Sequence, residues 1–509
     1  MLDGSVTMRA ELLDEAVWKT LARPDARPGG RGTFLDLATR DTGDVPVRIF
    51  LSPDLLRDTE PTLYRQIVNA TRFPGARLVV ITPDAHHGYG VPVGCVIVTD
   101  RASGAIAMGP VGFDIGCGMM SARSSVDAGA ATHDRKHAFH AEVMRRVDLG
   151  AGGSSKQLGE LSTRELEDIV RGGAEHHARG GDLARGKVER DRIPVDDAWK
   201  IPFGGPGKPE RGKGQVGSLG GGNHFIELQR EEATRQLWVQ VHTGSRGFGH
   251  GLATNYFAMA RDEHPERGAD IDLGYFTPDS PHHRAYQNAV AAGGNFAIVN
   301  RLVIFEAVRE AFRKIFKADL ELVYEISHNL VQAEAHPEFG DVWVHRKGAT
   351  RAFPAGHPAL TGTPWEATGH PVLIPGSNRD HSYVLRPREG AALSAYSVNH
   401  GAGRRLSRGE ALKTLSQEKV NEQYRRDGIL VNLDGEVPLD EAGACYKSCR
   451  EVIDVVTSAG LAEVEHTLWP LASLKGSESA LREKRRERRG IEKSRDRERR
   501  EARGERRRG

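Results

Sequence analysis

The stretch Ala76–Gly88, ARLVVITPDAHHG, is the clearest indication of the fold in this sequence. Its first part is apolar and rich in β-branched residues, which is typical of a strand, and its last part is a polar turn. Two more short strands are indicated by PVGCVIVTD at 92–100 and GAIAMG at 104–109. Residues 76–109 are therefore predicted to form part of a sheet.

Strands are also predicted on both sides of this region. DVPVRIFLSPDLL at 44–56 and LWVQVHTGSRGFGH at 237–250 each indicate a strand followed by the start of a helix. ELVYEISHN at 321–329 indicates a further strand, and the segment 345–400 indicates short strands and turns.

Helices are predicted in three places. A helix is predicted over 161–176, where a Ser cap is followed three residues later by Glu. A second is predicted over 298–315, where apolar residues recur every three or four positions. A third, polar helix is predicted over 410–428, and it ends at a glycine. Residues 179–217, rich in Gly, Pro and charge, are predicted to be a surface loop or hinge. Strands and helices that do not alternate regularly favour an α+β fold over a doubly wound sheet.

Composition limits the class of protein. The chain has 509 residues, 38% hydrophobic and 28% charged, which is enough apolar surface for a large folded unit. Four cysteines cannot build a disulfide framework, and no run approaches the roughly 18–20 apolar residues of a membrane span. The N-terminus has acidic residues where a signal peptide has basic and apolar ones. We therefore expect a cytoplasmic protein without a membrane partner.

The net charge of +2 conceals a basic tail. Residues 476–509 contain fifteen Lys or Arg and eight Asp or Glu, a balance of +7, so the preceding 475 residues have a balance of −5. The tail has only two large apolar residues, Leu481 and Ile491, so it is predicted to be a disordered or solvated segment. Two roles stay open for it, a solubilising one and non-specific capture of a phosphate backbone.

Asp114 and Cys117 are the first candidates for chemistry. They lie three residues apart in GFDIGCG, where a glycine allows the chain to curl and both side chains to face one point. A thiolate binds borderline-soft divalent metals and can bridge two ions.

Three histidines could complete such a metal site. His224, His242 and His328 each lie near the end of a predicted strand, with glycine or asparagine close by. A single histidine of this kind is more often structural than a ligand, but three in similar settings favour a shared metal site. Cys445 and Cys449, four residues apart and predicted to share a helix face, are interpreted as packing residues rather than ligands.

His400 is a candidate nucleophile. It begins HGAGRR, in which Arg404 and Arg405 could neutralise a phosphate attached to the imidazole. PGSNRDHSY at 375–383 is a polar turn of the kind that cradles a phosphate, and the loop HRKGATRAFPAG at 345–356 contains Arg346, Lys347 and Arg351 as a possible polyanion track. The alternative for each is an ordinary solvated turn.

Nine segments together resemble the RtcB family of RNA ligases, the enzymes of tRNA splicing and RNA repair. They follow the family order from about Val45 to Gly476: PDAHHGYG, VGFDIGCG, GSLGGGNHF, HTGSRGFGH, SHN, HRKGATRAFPAG, PVLIPGS, HGAGR and PLASLKG. The resemblance implies a single large α+β catalytic fold. The domains expected are an N-terminal segment at 1–43, the catalytic domain at 44–476 and an Arg/Glu-rich disordered tail at 477–509.

The resemblance also implies roles for single residues. One manganese ion would be held by Asp114, Cys117 and His224, and a second by Cys117, His242 and His328. His400 would take up GMP from GTP. The nucleotide would be surrounded by Asn223, His224, Phe225, Ile226, Glu227, His328, Asn329, Pro375, Gly376, Ser377, Asn378, Ser382, Gly401, Ala402, Gly403 and Lys475.

The chain departs from the family pattern at a few positions. Asn378–His381 replace mainly small or neutral residues, Asn399 stands where Cys is common, and Met120 stands where the family has an arginine. The expected activity is joining an RNA 2′,3′-cyclic phosphate or 3′-phosphate to a 5′-hydroxyl with GTP and Mn²⁺. The resemblance leaves open whether an archease-type activator takes part. A metal-dependent phosphoesterase acting on RNA ends and a non-catalytic RNA-binding protein are the alternatives.

Overall fold

The fold was analysed in a computed structural model, which describes residues 34–37, 39–60, 62–177, 186–188, 192–265 and 271–476. The strands are β1 (Leu35–Asp36), β2 (Val47–Ile49), β3 (Ala76–His86), β4 (Val93–Asp100), β5 (Ile106–Ala107), β6 (Gly118–Asp127), β7 (Phe225–Glu231), β8 (Gln236–Thr243), β9 (Tyr275–Phe276), β10 (Glu321–Ser327), β11 (Asn329–His336), β12 (Gly340–Lys347), β13 (Ala349–Arg351), β14 (Val372–Ile374), β15 (Ser382–Pro387), β16 (Ser397–Asn399), β17 (Leu430–Val431) and β18 (Ala462–Lys475). The prediction of a disordered tail falls on residues that lie outside this description.

The α-helices of the described residues are α1 (Pro53–Arg57), α2 (Leu63–Ala70), α3 (His133–Arg146), α4 (Thr163–His176), α5 (Arg246–Glu263), α6 (His283–Phe316), α7 (Arg408–Thr414), α8 (Gln417–Arg426) and α9 (Cys449–Ser458). Together with the strands they confirm the predicted α+β class. Helix α4 begins with the predicted capping box, in which Ser162 and Glu165 satisfy each other's backbone N–H groups.

One sheet has six strands in the order β1-β2-β3-β4-β12-β11. Strands β2 and β3 are parallel, and the other neighbours are antiparallel. Both faces of β3 are buried: Val79 and Ile81 pack with helices α1 and α2, and Leu78 and Val80 pack on the other side with helix α9. Burial on both faces explains why this strand is an uninterrupted apolar run.

The second sheet follows the order β10-β6-β8-β7-β18-β15-β14, and β17 pairs with β18. Helix α6 packs against it, with Ile298, Leu302 and Phe305 in the same core as Leu228 and Val239. The chain crosses from β10 of this sheet to β11 of the six-stranded sheet through the single residue His328.

Helix α6 is longer than the helix predicted over 298–315. Among the described residues, it is the helix whose length and composition would allow it to span a membrane. Its apolar window has a mean hydropathy of 1.2 and is entirely buried inside the structure. A buried core helix meets the same criteria, so this helix alone does not indicate a membrane span.

Two local predictions were wrong. The single helix predicted over 410–428 is two helices, α7 and α8, because Leu415 is extended and Ser416 begins the second one. The loop at 179–217 is irregular where described, but it is not simply a surface loop, since Val195, Trp199 and Ile201 are buried in the core with helix α6.

Candidate active site

Four strand ends place the candidate metal ligands together. Cys117 immediately precedes β6, His224 precedes β7, His242 is the second-last residue of β8 and His328 follows β10. The register sets them side by side, since Phe225 pairs with His242, Thr243 with Gly118, and Gly118 with Ser327. The Cys and His residues therefore meet at one edge of the second sheet although they are far apart in sequence.

Cys117 lies at the centre of this donor cluster. Its Sγ is 3.3 Å from His242 Nε2 and 3.5 Å from His224 Nε2. On one side His224 Nε2 is 3.0 Å from Asp114 Oδ2, and on the other His242 Nε2 is 3.2 Å from His328 Nε2. The donors form two groups that share Cys117, each with its ligand atoms within 4.8 Å of one another. The two groups contain the same residues as the two ligand sets that the resemblance implies.

The outer ring nitrogens orient the imidazoles. His224 Nδ1 donates to the Leu219 carbonyl at 3.0 Å, and His242 Nδ1 donates to the Asn223 carbonyl at 3.1 Å. The Nε2 lone pairs therefore point into the cluster, as they do in histidines that bind metals. Burial, followed by the charges of neighbouring imidazoles, holds the pKa of His242 and of His328 well below the ordinary value.

The cluster fits a divalent cation better than a set of internal hydrogen bonds. Carboxylate, thiolate and imidazole donors of the kinds that bind borderline divalent cations converge here. His328 Nδ1 is buried without a hydrogen-bond partner among the described residues. Burial and Asp114 raise the pKa of the Cys117 thiol well above its ordinary value. A bound metal reverses this effect because it coordinates the thiolate.

Asp114 adds a permanent negative charge. Burial alone would raise its pKa, but the adjacent His224 imidazole and the charge of Arg246 outweigh burial and hold the pKa at about 2. Its Oδ1 accepts a hydrogen bond from the Ser245 backbone N–H at 3.0 Å. A carboxylate fixed in this way is a ready oxygen ligand.

Arg301, on helix α6, links the chain segments that carry the candidate metal ligands. Its side chain is fully buried and forms an ion pair with Glu325. The guanidinium donates to Gly116 O at 2.7 Å, Thr243 O at 2.8 Å and Ser327 Oγ at 2.9 Å. These three residues are the sequence neighbours of Cys117, His242 and His328, respectively. The sequence analysis did not identify Arg301, because within α6 it looks like one polar residue among apolar ones.

His400 follows the short strand β16 and points at the donor cluster, with its ring centroid 5.0 Å from that of His328. Its Nδ1 donates to Asp84 Oδ2 at 2.6 Å. The same oxygen accepts the backbone N–H groups of His400 at 3.0 Å and Gly401 at 3.2 Å. Holding Nδ1–H in this way leaves Nε2 as the ring nitrogen with a free lone pair.

Asp84 is a second residue at the candidate site that the sequence analysis did not identify. It is fully buried in β3, and Thr82 Oγ1 donates to its second oxygen at 2.5 Å. Burial acts to raise its pKa, but the charge and hydrogen bonds of His400 outweigh burial and keep the pKa below the ordinary value. Asp84 therefore faces His400 as a carboxylate.

One cavity of about 420 Å³ contains both the donor cluster and His400. Most of the predicted site residues line it: Asp114, Cys117, Asn223, Phe225, His242, His328, Asn329, Pro375, Gly376, Ser377, His400, Gly401, Ala402, Gly403 and Lys475. The others do not: His224 lies behind Asp114 and Cys117, the side chain of Ile226 is in the core, and Glu227, Asn378 and Ser382 are buried outside the lining.

Three cations surround a buried carboxylate beside the cavity. Glu441 lies 3.1 Å from Lys475 Nζ, 2.6 Å from Arg408 and 3.5 Å from Arg404. Burial would raise the pKa of Glu441, but Lys475 and Arg408 lower it to about 2. Lys475, Arg408 and Arg404 all line the cavity, so this wall can receive an anionic ligand.

The family model described as "tRNA-splicing ligase RtcB" matches residues 66–476 of this chain. The chain belongs to the RtcB family. It is 34% identical to a tRNA-splicing ligase RtcB of Thermococcus kodakarensis over 85% of this chain and 95% of that protein. A tRNA-splicing ligase RtcB of Pyrobaculum aerophilum is also 34% identical over the same shares. An RNA-splicing ligase RtcB of Mycobacterium tuberculosis is 35% identical over 81% of this chain and all of that protein.

The RtcB match confirms the recognition made from the motifs. It lies within the predicted domain at 44–476, and the boundaries at 43 and 476 stay predictions.

Asn378–His381 and Met120, which depart from the usual RtcB pattern, do not line the cavity. Asn378 accepts a hydrogen bond from Tyr424, Arg379 pairs with Asp427, and Asp380 accepts the backbone N–H of Cys449 at the start of α9. The His381 ring packs against Trp469, and Met120 lies in the core beside α6. Within the RtcB fold these side chains therefore serve local packing.

Three further expectations need correction. The segment 345–356 is not a loop at its start, because its first residues end β12 and the next ones form β13. Its three basic residues are buried. Arg346 pairs with Glu334, Arg351 lies over the Phe353 ring, and Lys347 alone lines the cavity. Arg405 lies outside the cavity lining, 3.4 Å from Asp58.

The placement predicted for two cysteines was also wrong. Cys445 and Cys449 do not share a helix face, because Cys445 lies in a 3₁₀ turn that ends before α9 begins at Cys449. Both are fully buried, in separate hydrophobic clusters. Their predicted packing role is confirmed.

Proposed function

We propose that this RtcB family member is a GTP- and Mn²⁺-dependent RNA ligase. It would join RNA ends with a 2′,3′-cyclic phosphate or 3′-phosphate to ends with a 5′-hydroxyl, in tRNA splicing or RNA repair. The observation that supports this most strongly is the position of His400, oriented by Asp84 and beside the donor cluster in one cavity. Simple hydrolysis by a phosphoesterase has no need of such a nucleophile.

His400 performs the first step. Its Nε2 attacks the α-phosphorus of GTP, an N–P bond forms, and pyrophosphate leaves. Asp84 keeps the proton on Nδ1 and stabilises the positive charge that develops on the imidazole. A 2′,3′-cyclic phosphate would first be opened by water to a 3′-phosphate. The GMP group then passes from His400 to the RNA 3′-phosphate, which restores the free imidazole. The 5′-hydroxyl finally attacks the activated phosphate and displaces GMP to close the strand.

The donor cluster would hold two Mn²⁺ ions, one between Asp114, Cys117 and His224 and the other between Cys117, His242 and His328. Metal ions in such a position neutralise charge on phosphoryl oxygens and on the leaving group. Thiolate, imidazole and carboxylate donors suit a borderline divalent cation.

The wall formed by Lys475, Arg404 and Arg408, here the cationic wall, would bind the nucleotide. Arg404 and Arg408 provide guanidinium groups for phosphate oxygens, and the Lys475 ammonium is a donor that suits the O6 carbonyl of guanine and not the amino group of adenine. This supports the expectation of GTP over ATP. The four buried free cysteines fit the reducing cytoplasm expected from the sequence.

A ligation assay tests the proposal. One RNA strand with a 3′-phosphate and one with a 5′-hydroxyl, incubated with protein, GTP and MnCl₂, should give a joined product, and His400→Ala should give none. Omission of GTP should also abolish joining. Removal of the terminal phosphate without joining would identify a phosphoesterase, and RNA binding without any change at the ends would identify a non-catalytic protein.

A further inference from the structure

Tyr89 is a large apolar side chain exposed beside the candidate active site. Its exposed fraction is 68%, the highest among the large exposed apolar residues in the described part of the chain. It follows β3 and lines the cavity that contains His400 and the donor cluster. Neither the nucleophile, the donors nor the cationic wall uses it.

The backbone that presents Tyr89 is held firmly. Lys347 Nζ donates to the Tyr89 carbonyl at 2.6 Å. Gly88 exchanges hydrogen bonds with the Gln66 amide, and Asn69 Nδ2 donates to the Gly90 carbonyl at 2.8 Å. Tyr89 is thus an exposed ring on an anchored turn, and its exposure does not result from a loose loop.

The two flanking glycines make this turn possible. Gly90 has a φ of +70°, and a Cβ there would lie 2.8 Å from the Asp272 carbonyl oxygen. A Cβ at Gly88 would lie 2.5 Å from the Val91 carbonyl oxygen. The local sequence Gly-Tyr-Gly therefore allows a tight turn whose only side chain is the exposed aromatic ring.

The ring of Phe113 lies roughly perpendicular to the ring of Tyr89. Phe113 also lines the cavity, and its ring lies at 87° to that of Tyr89 with 6.2 Å between centroids. Phe113 is supported by Phe257 at 4.8 Å and by His250 at 5.3 Å, so it cannot easily move away. The result is an aromatic corner of Tyr89 and Phe113 at the wall of the cavity.

We propose that this corner is a stacking subsite for the terminal nucleobase of a broken RNA strand. A base unstacked at a strand end has two free π-faces, and exposed aromatic rings bind such bases with little dependence on sequence. The subsite rests on the proposed function, since it requires that RNA ends enter the cavity. Tyr89 lies between β3 and β4 of the six-stranded sheet and Phe113 lies between β5 and β6, whereas Lys475 ends β18 of the second sheet.

The test uses the full-length protein and a short single-stranded RNA with 2-aminopurine as its terminal base. Stacking quenches 2-aminopurine, so the wild-type protein should decrease its fluorescence, and titration gives the affinity. Tyr89→Ala should weaken binding by about 5- to 20-fold and remove most of the quenching, while Tyr89→Phe should stay within about twofold of wild type.

Phe203→Ala is the matched control. Phe203 is also an exposed aromatic residue, with 39% exposure, but it does not line the cavity. This variant should bind the RNA as the wild type does. Equal quenching and equal affinity for Tyr89→Ala and wild type would overturn the proposal, as would an equal loss in Phe203→Ala. Transfer of GMP from GTP to the wild-type protein, measured without RNA, tests the proposed function separately.

Discussion

Asp84→Asn tests how much the orientation of the His400 imidazole by Asp84 contributes to the reaction with GTP. The change keeps the shape of the side chain and removes its charge. Asp84 Oδ2 accepts three hydrogen bonds, of which the shortest, at 2.6 Å, comes from His400 Nδ1. Loss of a charge-assisted hydrogen bond costs about 1.5–3 kcal/mol, or about 10- to 150-fold in rate.

A second effect adds to the first. If the new amide turns its NH₂ towards His400, Nδ1 must become the acceptor and the proton moves to Nε2, which then has no lone pair for the attack on GTP. An aspartate that orients a catalytic histidine can matter by as much as about 10⁴-fold. We therefore expect His400 guanylylation in Asp84→Asn to be slower by about 10²- to 10⁴-fold.

The assay is the single-turnover rate of GMP transfer from labelled GTP to the protein. Thr82→Val is the matched control, because it removes the hydrogen bond to the other oxygen of Asp84 and preserves the charge; it should slow the reaction by less than about tenfold. Bound metal should be the same in both variants. A folded Asp84→Asn protein that reacts within about threefold of wild type would refute the orientation argument.

Two further predictions concern the donor cluster and a buried acid. Cys117→Ser should lose most bound manganese, because a neutral hydroxyl cannot replace a bridging thiolate, while Cys445→Ser should retain it; metal analysis that finds equal manganese in both would contradict the bridge. Burial raises the pKa of Glu227 to about 7 from 4.5, so the folded state binds a proton that the unfolded chain releases between these values. The free energy of unfolding should therefore fall as pH rises through this window, by about 3 kcal/mol in total. Glu227→Gln should remove this fall, and parallel pH profiles for the two proteins would show that Glu227 is not the cause.

The sequence predicted most of the candidate site because its residues are marked locally. Cys117, His224, His242 and His328 each lie at a strand end near glycine or asparagine, and the register of the second sheet then brings them together. Matching motifs in the family order supplied the grouping that spacing alone could not. The α+β class followed from the irregular mixture of strands and helices.

Residues whose role depends on distant partners were missed or misjudged. Asp84 and His400 are 316 positions apart, and no local pattern distinguishes an orienting carboxylate from a turn residue. Arg346 looked like part of a polyanion track, but the alternation of β12 turns it inwards to Glu334. The prediction of a single helix over 410–428 missed the break before Ser416, because the helical spacing of the residues continues through that break.

A covalent bond between His400 and GMP, formed beside the donor cluster, is the step on which the proposed ligase activity depends. Intact-protein mass measured after incubation with GTP and MnCl₂, followed by peptide mapping, tests it most directly. We expect a gain of one GMP on His400, no gain with ATP and no gain in His400→Ala. An adduct on another residue, an adduct that persists in His400→Ala, or an unmodified wild-type protein would contradict it.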